Sequence, residues 1–192
     1  MPGFEPETEL ERGVADDPVL LEGLAWGRPR RGHPEGPVGA HVADLIATID
    51  RWGERGARRA ELRFIALVHD ALKHAVHDWL PKRGENHHAM RARRFAERYT
   101  DDERLLATIE LHDRPYAIWR RMRRLGLDER PFARMLERIP DRELFARFVE
   151  LDASTEGKRQ EPIHWMKRAL ARHGSGSQPP PGVSQPHSRR RT

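Results

Sequence analysis

Apolar residues recur at steps of three and four along most of the chain, the spacing of one face of an α-helix, and no segment alternates persuasively as a strand would. The clearest stripe, Val38, Val42, Leu45, Ile46, Ile49 and Trp52, predicts a helix over about 37–53, closed by Gly53 and Gly56. A second helix, over about 59–74, contains the unbroken run Phe64-Ile65-Ala66-Leu67-Val68. A helix that is apolar all round needs neighbours on every side, so this one is expected at the centre. Further helices are expected over about 86–99, then from a capping box of Thr100 and Glu103 to about His112. Shorter ones follow near 116–124, 129–138, 141–153 and 161–172, divided by Gly126, Pro131, Pro140, Gly157 and Pro162. The predicted fold class is all-α, a compact helical bundle.

The ends differ from the middle. Residues 1–17 are acidic and lack a repeating apolar face, which predicts a flexible N-terminus. Residues 18–173 form the expected helical domain, and 174–192, GSGSQPPPGVSQPHSRRRT, read as a disordered tail. At 192 residues there is room for one core. No apolar stretch is long enough to span a bilayer and the N-terminus is not signal-like, so a cytoplasmic protein without a membrane partner is expected. The absence of cysteine excludes disulfides, thiolate zinc sites, iron–sulfur clusters and a cysteine nucleophile. Eleven histidines leave imidazole and carboxylate as the available metal donors.

The formal net charge is +5, with −5 over residues 1–17 and +7 over 18–188. Arginines cluster at Arg28, Arg30 and Arg31, at Arg91, Arg93, Arg94 and Arg98, and at Arg120, Arg121, Arg123 and Arg124. Such clusters can meet phosphates, but among interspersed carboxylates a solvated helix face is the simpler reading.

Polar residues on the apolar stripes carry more information. His41 lies on the stripe of Val38 and Leu45. His69 and Asp70 follow Ile65 and Ala66 at the end of the most apolar helix. His88 shares a face with Ala92, Phe95 and Tyr99, whereas His87 shares one with Arg91 and Arg94. His112 continues the stripe of Leu105 and Ile109, and Asp152 that of Phe145, Phe148 and Val149. An inward carboxylate without compensation is costly. Any one of these residues is explained by ordinary core hydrogen bonding; six from five helices point to a shared site for one or two divalent transition-metal ions (Mn, Fe, Co, Ni or Zn).

This ordered set, His41, then His69-Asp70, then His88, then His112, then Asp152, resembles the HD-domain metal-dependent phosphohydrolase family. Ala66-Leu67-Val68-His69-Asp70-Ala71-Leu72-Lys73 is similar to the family's apolar run ending in His-Asp with a Lys three residues on. His88-Ala89-Met90-Arg91-Ala92 and Phe148-Val149-Glu150-Leu151-Asp152 resemble its later ligand segments, and the similarity covers roughly residues 33–158. The resemblance implies an HD-domain-like bundle with His41, His69, Asp70 and Asp152 around a first ion. In members with two metals it implies a bridging Asp70, with His88 and His112 on the second ion. Asp113 stands where such members place a second histidine, which leaves the metal count open.

The expected activity is hydrolysis of a nucleotide or other small phosphate ester by a water that the metal activates, with Asp70 and Lys73 as the catalytic residues. Lys73, one turn beyond His69, is placed to meet a phosphate oxygen. Arg31 and His77 are expected to contact substrate, and residues 74–86 to form a loop over the mouth. The general acid stays open among His74, His77 and His88. The alternative is a basic RNA- or DNA-binding or nucleotide-sensing module with a structural or degenerate metal site; nucleic acid is the less favoured partner.

Overall fold

A computed structural model describes residues 4–29, 34–126 and 128–174. Among these the chain forms ten α-helices and two single 3-10 turns, and no strand. The helices are α1 (Glu9–Ala15), α2 (Pro18–Ala25), α3 (Val38–Arg51), α4 (Gly56–Val68) and α5 (His88–Ala96). They continue with α6 (Glu103–Leu111), α7 (Arg114–Leu125), α8 (Arg130–Leu136), α9 (Arg142–Asp152) and α10 (Glu161–Gly174). The all-helical expectation holds.

Helix α4 is the axis of the fold: every residue from Leu62 to Val68 is buried, and α3, α6 and α9 pack around it. Its apolar circumference is the physical cause, since only a helix enclosed on all sides removes such a run from water. Helix α9 divides the core in two. Leu144, Phe148 and Leu151 face the cluster built on α2 to α6, while Phe145, Val149 and Ala153 face a second cluster built on α7, α8 and α10. The two faces are offset by one residue, so α9 ends with Asp152 at the seam between the clusters.

Two expectations need correction. The N-terminal segment, expected to be flexible, folds from Glu9 into α1 and docks on α4. There Glu11, fully buried, meets Arg63 at 2.9 Å, and Val14 joins the core. Two short helices supply too few apolar residues to make a periodic stripe, so a contact with a distant helix decides the outcome. At α6 the N-cap is Asp102, whose Oδ1 accepts from the Arg104 N–H at 2.9 Å, rather than Thr100, whose hydroxyl accepts from Asp102 N–H at 3.1 Å. Aspartate is the stronger cap and adds a charge favourable to a helix N-terminus. The C-terminal tail expected over 174–192 lies, apart from its first residue, outside the described residues.

Helix α2 braces the turn that follows α4. A Cβ on Gly23 would fall 1.8 Å from the Ala71 carbonyl oxygen, so only glycine lets α2 press onto the backbone next to His69 and Asp70. No helix among the described residues is long and apolar enough to cross a membrane.

Candidate metal centre

Helix ends converge on one point. His69 caps the C-terminus of α4, His112 caps α6, Asp152 is the last residue of α9 and His88 the first of α5, while His41 comes from the first turn of α3. The local backbone orients two of the rings. His69 Nδ1 donates to the Ala66 carbonyl oxygen at 2.9 Å and His112 Nδ1 to that of Ile109 at 2.8 Å. A carbonyl only accepts, so each Nδ1 carries the proton and each neutral ring presents a lone pair on Nε2. Those Nε2 atoms face Asp70: His69 lies 3.4 Å from Oδ2 and His112 3.7 Å from Oδ1. Metal-ligating histidines are commonly held in this way, by a backbone carbonyl on the far nitrogen.

Donor atoms within 4.8 Å of one another form three groups among the described residues: His41, His69 and Asp70; Asp70, His88 and His112; and His87, His88 and Asp113. The first two share Asp70. Asp152 Oδ1 adds to the first group, 2.9 Å from His41 Nε2 and 3.7 Å from His69 Nε2. In the third, His87 is occupied at both nitrogens. Its Nδ1 accepts from the Ala89 N–H as the N-cap of α5, which leaves Nε2–H to donate towards Asp113 Oδ2 at 3.3 Å. His87 therefore orients Asp113 and has no lone pair left for a metal.

The first two of these groups can hold a metal ion, and one observation independent of the spacing supports it. His69 Nε2 and Asp70 Oδ1 are buried without a hydrogen-bond partner, a costly arrangement that a cation between them would relieve.

The proton equilibria follow from the same contacts. Burial raises the carboxyls of Asp70 and Asp152, but lysine and histidine neighbours outweigh it and hold both well below the usual range. Asp113, also raised by burial, is brought to about 2 by His87, His112 and His88. Burial lowers His69, yet Asp70 and Asp152 carry it up to about 9, so in the absence of a cation this ring takes up a proton. His88, lacking so strong a carboxylate field, is pushed down to about 4 by burial. Lys158 is raised by Asp152 and Asp70 against its burial.

The cluster opens into a cleft of about 600 Å³. Asp70, His88, His112, Asp113 and Asp152 form its floor. Lys73, Lys158, Arg159 and Arg120 supply positive charge, and Tyr116, Trp119 and Ile163 an apolar wall. Reasoning from the sequence missed Lys158, Arg159 and the α7 wall. The only signal was a Lys-Arg pair after Gly157, just beyond the closing Asp152, on a loop without periodicity. His77, expected at the substrate, is elsewhere. Its ring stacks on Trp79 with centroids 4.6 Å apart, and its backbone is stapled to the Asn86 side chain by two 2.9 Å hydrogen bonds. That staple draws residues 77–86 into a self-contained loop, and no residue from 74 to 86 lines the cleft. His74 Nδ1 is likewise bound to the Ala71 carbonyl oxygen and does not line it. Arg31, the other expected substrate contact, lies outside the described residues.

The comparisons with known proteins give no match: no family model fits the chain, and neither a curated protein nor a solved structure is significantly similar to it.

Proposed function

We propose that this protein is a metal-dependent phosphohydrolase acting on a nucleotide or another small phosphate ester. One observation carries the reading: two buried donor atoms, His69 Nε2 and Asp70 Oδ1, have no hydrogen-bond partner, and Asp70 lines a cleft together with Lys73, Lys158, Arg159 and Arg120. The resemblance of the ligand segments to HD-domain phosphohydrolases supports it. His41, His69, Asp70 and Asp152 would hold a first ion, and Asp70 with His88 and His112 a second, of the Mn, Fe, Co, Ni or Zn type. Such ions supply a water of lowered pKa and charge to set against phosphoryl oxygens.

The protein's own part is positioning. The carbonyls of Ala66 and Ile109 keep the lone pairs of His69 and His112 turned towards Asp70. Lys73 holds Asp70 by its Oδ2 and leaves Oδ1 to the site. Lys158, Arg159 and Arg120 stand across the mouth, where they would fix the ester oxygens and stabilise the extra negative charge of the transition state. The wall of Trp119, Val149 and Ile163 excludes water from one side and accepts the organic part of the ester.

The test is hydrolysis of p-nitrophenyl phosphate and bis(p-nitrophenyl) phosphate with each of the five metals. Asp70→Ala and His69→Ala should each lose about 100-fold or more, since even the supporting residues of metal sites act on a 10–100-fold scale. Full activity in both variants would refute the reading. Nucleotide binding without turnover would favour the sensing alternative.

A further inference from the structure

Helix α7 carries Arg114, Arg120, Arg121, Arg123 and Arg124 in twelve residues and no acidic residue. All five are exposed, and none has a carboxylate within ion-pair distance among the described residues. Arg59, Arg63, Arg93, Arg98 and Arg104, by contrast, each reach a carboxylate at 2.6–2.9 Å. The α7 arginines are also placed beside rings. Arg120 lies 5.8 Å from the Tyr116 centroid and Arg123 5.4 Å from that of Trp119. A guanidinium held against a ring keeps its N–H edge free for a phosphate.

The helix stands between two clefts. Tyr116, Trp119 and Arg120 line the metal cleft. On the other side Arg114 and Arg121 line a second hollow of about 590 Å³, together with Ile118, Met122, Asp128, Arg134 and Arg138. A ligand suited to this surface bears negative charges at intervals along about 18 Å, the length of a twelve-residue helix. One of its ends would reach the cationic mouth. A single phosphate satisfies one side only. The Tyr116 ring, 45% exposed at the edge of the metal cleft, offers a face on which an unpaired base can stack.

We infer that α7 is a track for single-stranded nucleic acid whose terminal phosphate ester enters the metal cleft. The inference rests on the phosphohydrolase reading for the chemistry at that end. There a water oxygen bonds to phosphorus, the bond from phosphorus to the leaving oxygen breaks, and a proton from the water ends on that oxygen. Carboxylates of an acidic protein would satisfy the arginines but offer no ester to the cleft and no base to Tyr116, so nucleic acid is the favoured occupant.

The experiment is fluorescence anisotropy of 5′-fluorescein-labelled twelve-residue oligouridylate against the full chain at 50 and 200 mM KCl. The wild type is compared with Arg121→Glu/Arg124→Glu and with Asp70→Asn, each checked for fold by circular dichroism. The arginine variant should bind at least tenfold more weakly, with a salt slope shallower by about 1.4, the value for two lost contacts to a single strand. Asp70→Asn is read only in the hydrolysis of bis(p-nitrophenyl) phosphate, which it should abolish. Unchanged affinity in the arginine variant, no binding at 50 mM KCl, or equal displacement per charge by polyglutamate would overturn the inference. If Asp70→Asn abolishes small-ester hydrolysis while the arginine variant keeps full oligouridylate affinity, the phosphohydrolase reading survives and the track does not. Arginine-dependent binding with no hydrolysis by the wild type would support the track and defeat the phosphohydrolase reading.

Discussion

On the side of the molecule formed by α1, α4 and α5, four arginines are closed. Arg63 is locked to a fully buried Glu11, Arg59 spans Glu7 and Asp50, Arg93 binds Glu97, Glu103 and Glu110, and Arg98 reaches Asp17. On α7 a cluster of similar density has no such partner and borders the cleft that holds the metal-ligand candidates. The two runs look alike as composition. Their difference is made by what folds against them: carboxylates of the N-terminal segment, α3, α6 and the C-cap of α5 meet the first, while no carboxylate among the described residues lies within ion-pair distance of the second. Charge in a sequence therefore indicates a ligand only after the fold's own counter-charges have been subtracted.

The comparison breaks most visibly at Arg63. Replacing it by methionine leaves the Glu11 carboxylate buried without its cation, and urea unfolding should show a loss of about 3–5 kcal/mol. A loss below about 1 kcal/mol would mean that the N-terminal segment is not anchored as described.

A smaller effect is expected at Asp17, the N-cap of α2, which accepts from the Tyr99 hydroxyl at 2.5 Å and from Arg98 at 2.9 Å. Burial raises its carboxyl, but these bonds and the Val19 N–H hold it below the ordinary 3.8. A carboxyl depressed by folding stabilises the protein above its unfolded pKa, and that contribution is lost as pH falls through the folded value. Asp17→Asn keeps a capping side chain and removes the charge. The variant should be about 1 kcal/mol less stable at pH 7, with the gap closing below about pH 4. A gap independent of pH would contradict the assignment.

The smallest effect is expected on the open face. Arg121→Gln and Arg124→Gln should each change stability by no more than about 0.5 kcal/mol, because they touch no carboxylate. A larger loss in thermal or urea unfolding would show that α7 is closed after all.

Much of this arrangement was legible in the chain, and the exceptions share causes. Helices α3, α4, α6 and α9 announce themselves by long apolar stripes, and His41, His69, His88, His112 and Asp152 could be located because each continues such a stripe. Helices α1 and α2 were not, since their few buried residues, Val14, Leu20 and Leu24, acquire meaning only from packing on α4 and its turn. Lys158 and His77 lie on loops, where position depends on tertiary closure and the Asn86 staple rather than on period. The division of roles between His87 and His88 followed from stripe membership, but the service of His87 to Asp113 depends on a cap bond that no spacing reveals.

The central claim is that the histidine and aspartate cluster is a metal centre, and the most direct measurement is metal per chain by elemental analysis of the purified protein beside Asp70→Ala prepared identically. The account predicts a ratio near one or two in the wild type, lost in the variant. No metal in either protein, even after incubation with manganese, iron, cobalt, nickel or zinc, would contradict it.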